Sequence, residues 1–144
     1  MFQTFNLLPR LTALENVALP LVYAGMGNAE RIKRAEEVMK LVSLYDRMHH
    51  KPNELSGGQR QRLLIAAALA AGPKLVIADE PTTALDVTTQ QQILHLLKEL
   101  TAELGVSMLF VTHDFGVVAE LCHDITVMYA GQTVEAGPTR AILD

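Results

Sequence analysis

The sequence has few of the features that mark a secreted, membrane-spanning or nucleic-acid-binding protein. It contains one cysteine in 144 residues, which excludes an internal disulfide, and no apolar run approaches the ~18 residues that cross a membrane. The N-terminus lacks the charged start of a signal peptide, and the net charge of -4 provides no basic surface for nucleic acid. We therefore expect a soluble domain in a reducing compartment, most simply the cytoplasm, with Cys122 as a small core residue.

The most informative stretch runs from Lys74 to Pro81, where four apolar residues lead directly to Asp79 and Glu80. An apolar run of this length predicts a short strand buried on both faces of a parallel sheet. Ligands of open α/β sheets bind beyond the carboxyl ends of the strands, so the two carboxylates are placed to handle a metal or a polarised water. The alternative is an ordinary acidic turn after a buried strand.

A second apolar stretch, residues 107–112, also ends in polar residues, His113 and Asp114. Between the two strands, residues 87–104 have the periodicity of a helix. Its predicted buried stripe is Ile93, Leu96, Leu97, Leu100 and Leu104. A strand, a crossover helix and a second strand form a βαβ unit with parallel strands. His113 should therefore lie at the same edge of the sheet as the two carboxylates, which makes it a catalytic candidate.

The sequence of the N-terminal part of the chain predicts two helices. Thr12 and Glu15 have capping-box spacing, so a helix should begin near residue 13 and continue to residue 23, disturbed by Pro20. Asn28 is predicted to cap the next helix. Residues 45–54 are polar and predict a connection with at most a short helix.

Residues 55–59 read Leu-Ser-Gly-Gly-Gln and precede a run of apolar and small residues. Ser56 and Gln59 form a second capping box, which places the two glycines in the first turn of a helix. Such a turn exposes backbone N–H groups at the positive end of the helix dipole, an arrangement that suits phosphate. The alternative for so short a motif is a plain helix cap.

Taken together, these residues resemble the ATPase subunit, or nucleotide-binding domain, of ATP-binding-cassette (ABC) transporters. The match extends over essentially the whole chain and includes five motifs in the family's order. They are the Q-loop at Phe2-Gln3, the signature at residues 55–59, the Walker B strand at residues 75–80, the D-loop at residues 84–86 and the switch histidine at His113. The resemblance implies an α/β fold of the P-loop NTPase (RecA-like) class, with parallel strands and an added α-helical subdomain.

The resemblance also implies the cofactors, ATP and Mg²⁺, and the roles of individual residues. Asp79 would hold Mg²⁺, usually through water, Glu80 would polarise the attacking water, and His113 would contact the γ-phosphate. Gln3 would contact the metal and link the metal site to the membrane part of the transporter.

A second group of implied nucleotide-binding residues faces an opposing subunit in this family. Ser56, Gly57 and Gly58 would contact the γ-phosphate of ATP held by that subunit. The resemblance also implies nucleotide-binding roles for Gln59 of the signature, Asp86 of the D-loop and Gln3 of the Q-loop.

The chain departs from the family at the main phosphate loop. No Gly-x-x-x-x-Gly-Lys-Ser/Thr sequence occurs, and neither does the family's upstream aromatic that stacks on adenine. We therefore expect this segment, which looks like the C-terminal part of the domain from the Q-loop onward, to be inactive alone. Residues 1–62 would be the Q-loop and helical subdomain, and residues 63–144 the second half of the RecA-like core.

The resemblance further implies partners and a location. The partners would be transmembrane permease subunits and a second nucleotide-binding domain, on the cytoplasmic face of the membrane. An uncovered sheet edge should also make this chain self-associate. The alternatives are a truncated, non-catalytic cassette that acts as an interaction module and, less favoured, the related cassettes of DNA repair or translation.

The subfamily resemblances disagree. Residues 2–20 look like the ATPases of lipoprotein-release and macrolide-export systems, whereas residues 80–90 look like those of dipeptide and oligopeptide importers. The cargo and the direction of transport therefore stay open.

Overall fold

The computed structural model describes residues 7–144, so the motif at Phe2 and Gln3 lies outside the described residues. The described part is an α/β chain in which three helices precede a two-stranded parallel sheet and an antiparallel hairpin follows it. The elements are α1 (Ala13–Tyr23), α2 (Asn28–Leu41), α3 (Gly57–Ala70), β1 (Leu75–Asp79), α4 (Val87–Leu104), β2 (Ser107–Val111), α5 (Phe115–Leu121), β3 (Asp124–Tyr129), β4 (Gln132–Pro138) and α6 (Thr139–Leu143). Two short 3-10 helices, Tyr45–Arg47 and Pro52–Glu54, lie in the connection that was predicted to be mostly irregular.

Helices α1, α2 and α3 pack against one another and form the larger part of the buried core. The predicted capping box of Thr12 and Glu15 is present, and α1 continues through Pro20 to Tyr23. The prediction that Asn28 caps α2 is wrong by one residue. Gly27 occupies the cap position, and the Asn28 side chain instead accepts a hydrogen bond from the Arg31 guanidinium.

The predicted βαβ unit is confirmed. Strand β1 pairs with β2 in parallel, with Leu75 opposite Ser107 and Asp79 opposite Val111, and α4 connects the two strands. Helix α4 ends at Gly105, whose φ of +63° lies in the left-handed region that glycine adopts at little cost. The polar residues that follow both strands therefore lie at one edge of the sheet.

The expectation that β1 is buried on both faces is wrong. Val76 and Ala78 are buried toward the helices, but Leu75 and Ile77 are 53% and 51% exposed. Residues of α3 and α4 line a small cavity beside Val76 and Met108 on one face of the sheet, whereas the apolar side chains on the opposite face are exposed. The result is an apolar surface on the open face of the sheet. We call it the open sheet face and define it as Leu75, Ile77, Leu109 and Val111.

Two further expectations about burial need correction. In α4 the fully buried residues are Ile93, Leu94, Leu97 and Leu100, while Leu96 is half-buried and Leu104 is exposed. Leu94 lies outside the predicted stripe and is 1% exposed, and α4 contacts α5 as well as α3. Cys122 is half-buried rather than a core residue, since α5 ends just before it, and partial burial raises the pKa of its thiol.

The C-terminal hairpin pairs β3 with β4 in antiparallel fashion, with an irregularity between Val127 and Met128. It forms a sheet of its own and does not extend the parallel pair. Within residues 7–144 no helix is long and apolar enough to cross a membrane.

Candidate functional site

The carboxyl end of β1 carries Asp79 and Glu80. The Glu80 backbone N–H donates to the Val111 carbonyl at 2.8 Å, which continues the contact with β2 one residue beyond the strand. Glu80 has a φ of +43°, a left-handed conformation that costs a non-glycine residue on the order of 1–3 kcal/mol. The hydrogen bond to β2 holds this strained backbone in place, and the strain marks Glu80 as a candidate functional residue.

Within residues 7–144, His113 and Thr83 hold the Glu80 carboxylate. His113 Nδ1 lies 3.1 Å from Oε1, and the Thr83 hydroxyl donates to Oε2 at 3.1 Å. The predicted proximity of His113 to the carboxylate edge is therefore observed. The Glu80 side chain is 21% exposed and the His113 side chain 78%, so the pair is reachable from solvent.

The contact between His113 and Glu80 defines what each group can do. An ionised carboxylate only accepts hydrogen bonds, so when Glu80 is ionised His113 Nδ1 is the donor in this contact and Nε2 is left for a second partner. Glu80 is thereby oriented from both sides while it stays reachable by water. A carboxylate held in this way can polarise a water molecule, and the imidazole can contact an anion beside it.

Asp79 is half-buried next to this pair. Among residues 7–144 no group of three or more His, Cys, Asp or Glu side chains is arranged to enclose a metal ion. Mg²⁺ in phosphate sites takes one or two protein carboxylates and fills its remaining positions with water and phosphate oxygens. A single carboxylate at this position fits a magnesium ion that arrives with its phosphate ligand.

The motif at residues 55–59 forms the predicted helix start. The Ser56 hydroxyl accepts from the Gln59 N–H at 3.2 Å, and the Gln59 side-chain oxygen accepts from the Ser56 N–H at 2.9 Å. The box fixes the first turn of α3, and the glycines place no side chain at the first two positions of the helix. Both the phosphate-binding and the plain-cap interpretations are compatible with this geometry.

The first turn of α3 lies against the segment that leads into α4. A Cβ added to Gly57 would lie 3.7 Å from Leu85, an ordinary contact, but one added to Gly58 would lie 2.6 Å from the Thr89 methyl. Gly58 therefore allows a close approach of α3 to α4 that no larger residue permits without movement. The glycine pair has unequal roles, one tolerant of a side chain and one not.

This inequality predicts different effects of two alanine substitutions. Gly58→Ala should destabilise the chain by about 1–2 kcal/mol, because the Thr89 side chain is stiff in a helix and the overlap outweighs the better helix propensity of alanine. Gly57→Ala should be neutral or slightly stabilising, since space is available. Urea denaturation of the two variants beside the wild type measures the difference.

The double variant Gly58→Ala with Thr89→Ser tests whether the contact with Thr89 causes the loss of stability in Gly58→Ala. Thr89→Ser removes the methyl that a Cβ at residue 58 would meet, so it should restore most of the stability lost in Gly58→Ala. If Gly58→Ala is as stable as Gly57→Ala, or if Thr89→Ser gives no rescue, the close approach of the two helices is not what requires glycine.

Asp86 has a structural role in addition to the predicted nucleotide contact. Its carboxylate accepts from the Thr89 N–H at 2.8 Å and caps α4. Hydrogen bonds from Thr89 hold the pKa of Asp86 below its usual range, so the cap is ionised at neutral pH. Its negative charge at the N-terminus of α4 also interacts favourably with the helix dipole.

Sequence reasoning missed Thr83 as a functional residue. No role was predicted for it, whereas its hydroxyl holds one oxygen of Glu80. The available signal was its position three residues after a carboxylate in a turn, a spacing at which side chains reach one another.

Comparison with known proteins gives matches over most of the chain. A family model described as ABC transporter matches residues 1–83. An uncharacterized ABC transporter ATP-binding protein of Thermotoga maritima is 55% identical over 119 residues, which are 83% of this chain and 50% of that protein. The methionine import ATP-binding protein MetN of Latilactobacillus sakei is 47% identical over 143 residues, which are 99% of this chain and 42% of that protein.

A solved structure gives the same result in three dimensions. A dimeric ATP-binding cassette, MJ0796, in a post-hydrolysis state bound to ADP and Pi, matches with a TM-score of 0.80 and 45% identity. The match covers 96% of this chain and 61% of that one. The chain spans about half or less of the length of the curated relatives described above.

Proposed function

Because this chain belongs to the ABC transporter family, we propose that it supplies the water-activating part of the ATP-hydrolysing subunit of a membrane transporter. The observation that supports the proposal best is the Glu80 carboxylate, held between His113 and Thr83 at the end of β1. Within this proposal, Glu80 polarises the attacking water and His113 contacts the γ-phosphate.

Mg²⁺ bound together with ATP would neutralise charge on the phosphates. Asp79 would hold the ion, usually through water, and Gln3 would contact it from a position outside the described residues. The chain's own contribution is to keep a carboxylate and an imidazole oriented where the phosphate is placed.

The helix start at Ser56, Gly57 and Gly58 would contact the γ-phosphate of ATP held by a second nucleotide-binding domain, with Gln59 and Asp86 beside it. The two glycines at the first positions of α3 and the dipole of that helix support this assignment. The other partners would be transmembrane permease subunits, which place the protein on the cytoplasmic face of the membrane. We propose the same division of the chain as before. The Q-loop and helical subdomain comprises residues 1–62, and the second half of the RecA-like core comprises residues 63–144.

The names of similar proteins indicate a direction of transport. Some similar proteins are methionine import ATP-binding proteins, which favours import over export. The cargo itself is selected by other subunits in this family, so we propose no specific solute.

The test of the proposed function is a completed domain. It joins residue 1 of this chain to an N-terminal segment that carries the family's phosphate loop, taken from a member of the family that contains one. We expect steady-state, Mg²⁺-dependent ATP hydrolysis from the completed domain. A folded completed domain that binds ATP but does not hydrolyse it would favour the second candidate, a non-catalytic cassette that acts as an interaction module. That candidate is supported by the absence of a Gly-x-x-x-x-Gly-Lys-Ser/Thr loop from the 144 residues.

The open sheet face supports self-association of the 144-residue chain. An exposed apolar surface is a binding surface for another chain, most simply a second copy related by a two-fold axis. We expect light scattering at tens of micromolar, without nucleotide, to report a dimer whose population rises with concentration.

A charged substitution on the open sheet face should abolish this dimer. Leu109→Glu places a carboxylate on that face, whereas Val134→Glu places one on the exposed hairpin and serves as the matched control. A monodisperse wild-type monomer, or a dimer that Leu109→Glu leaves intact, would show that this face does not carry the association.

A further inference from the structure

Asn16 is a polar residue inside the helical core, with 6% of its surface exposed. Its side-chain oxygen accepts from the Leu8 N–H at 2.9 Å. Its side-chain nitrogen lies 3.2 Å from the Leu8 carbonyl, 3.3 Å from the Leu11 carbonyl and 3.0 Å from the Thr12 carbonyl. One side chain on α1 therefore fixes the backbone of residues 8–12, which lead into that helix.

The start of α1 is in turn bonded to a distant part of the chain. The Ala13 N–H donates to the His50 carbonyl at 2.7 Å, and the Leu14 N–H donates to the Met48 carbonyl at 2.9 Å. The first N–H groups of a helix have no partner within the helix, so residues 48–50 satisfy donors that would otherwise be unpaired. The position of residues 48–50 thus depends on where α1 begins.

Residues 48–50 continue directly to the start of α3. Pro52 and Leu55 are buried, and the Arg60 guanidinium donates to the Leu55 carbonyl at 2.9 Å and lies 3.4 Å from the Pro52 carbonyl. Ser56 is the next residue. A connected set of backbone contacts therefore extends from Leu8, through Asn16 and residues 48–55, to Ser56.

We propose that Asn16 is a positioning residue for the phosphate-contacting helix start at Ser56, Gly57 and Gly58. Asn16 fixes residues 8–12 at the beginning of α1, the beginning of α1 fixes residues 48–50, and those residues set the position of Ser56. The phosphate contact in this statement rests on the proposed function.

The chemistry of asparagine explains why this residue occupies the position. It offers an acceptor for the Leu8 N–H and two protons for three carbonyl oxygens in one short side chain. A carboxylate would face those carbonyls without a proton to donate, and an apolar side chain would leave buried backbone groups unpaired. Serine retains only a hydroxyl, which in a helix bonds the carbonyl four residues earlier, here Thr12.

Amide hydrogen exchange on the 144-residue chain tests the structural part of the proposal. In Asn16→Ser we expect exchange to become roughly tenfold faster in residues 8–14 and also in residues 48–56, while α4 and β2 keep their wild-type protection. Faster exchange in residues 8–14 alone would overturn the proposal, because Asn16 would then be only a local cap.

Val17→Ala is the matched control, since it removes buried volume from the neighbouring position of α1 and leaves the Asn16 hydrogen bonds in place. It should lower the thermal midpoint and accelerate exchange throughout the helical core. If it reproduces the Asn16→Ser pattern at the same loss of stability, that pattern reflects general loosening and the proposal fails. If Asn16→Ser does not fold, Asn16→Thr, which retains the same hydroxyl, replaces it under the same criteria.

Kinetics of the completed domain test the positioning part. Because the helix start contacts phosphate held by the opposing subunit, Asn16→Ser should lower kcat about fivefold while KM for ATP stays within twofold. A rise in KM with unchanged kcat would overturn the positioning role. If the wild-type completed domain does not hydrolyse ATP, the proposed function fails, and the exchange experiment still decides whether Asn16 controls Ser56.

Discussion

Replacing Glu80 with Gln in the completed domain is expected to lower ATP turnover by about a hundredfold or more while ATP binding is retained. The reason is chemical rather than steric. Glutamine has the size of glutamate but lacks the negative charge that polarises a water molecule. Steady-state hydrolysis and a binding titration with ATP, on the same preparation, measure the two quantities separately.

The contacts of Glu80 make this substitution structurally conservative. The glutamine oxygen can accept from the Thr83 hydroxyl, and the glutamine NH₂ can donate to His113 Nδ1 when the proton of the imidazole moves to Nε2. The strained backbone at residue 80 is held by its own bond to Val111, which does not involve the side chain. The expected loss is therefore assigned to the charge.

Glu135→Gln is the matched control, because it makes the same chemical change on an exposed strand of the hairpin. It should leave turnover within twofold of the wild type. If Glu80→Gln instead loses ATP binding while turnover per bound ATP is preserved, Glu80 supports the structure and does not activate water.

The second large effect concerns the 144-residue chain by itself, which should show no appreciable ATP hydrolysis. The reaction needs a phosphate fixed against Asp79, Glu80 and His113. The 144 residues contain no phosphate loop that could hold it there. Positioning of reactants accounts for about 7–11 kcal/mol of barrier lowering in well-oriented reactions, so its loss removes the rate almost completely.

The measurement is phosphate release from the 144-residue chain and from the completed domain at equal concentration. Phosphate release above background from the short chain that disappears in Glu80→Gln would contradict the expectation, since it would show that the chain assembles a site alone. Release that persists in Glu80→Gln would indicate a contaminating ATPase.

The fold class was predictable because its signals are local and strong. The predicted α/β fold of the P-loop NTPase class, with parallel strands, is confirmed by the solved cassette structure and by the pairing of β1 with β2. The capping boxes at Thr12 and Ser56 and the bounds of α4 were also predicted, since capping and helical periodicity act over a few residues.

What the sequence could not predict depends on which elements are neighbours. The apolar run of β1 predicts two covered faces, but the exposure of Leu75 and Ile77 is decided by the elements that pack on them. The same holds for Leu94 in α4, which lies outside the predicted stripe and is nevertheless buried. Periodicity in the sequence indicates only which residues lie on the same face of a helix or strand. Whether that face is buried depends on the elements that pack against it in the folded chain.

In the candidate site, too, some contacts were predictable from the sequence and others were not. The meeting of His113 with Glu80 follows from parallel strands, a topological rule, and was predicted. The Thr83 hydroxyl bond, the close approach of Gly58 to Thr89 and the bonds of Asn16 depend on side-chain geometry at the scale of an ångström. No motif or periodicity encodes them.

The most direct test of the account is the identity of the nucleotide that the completed domain retains after incubation with Mg²⁺ and ATP. Rapid desalting followed by chromatography of the released nucleotide measures it. We expect mainly ADP from the wild type and mainly ATP from Glu80→Gln, because the variant binds nucleotide but does not activate water. ADP retained by Glu80→Gln to the same extent as by the wild type would contradict the assignment of hydrolysis to this edge of the sheet.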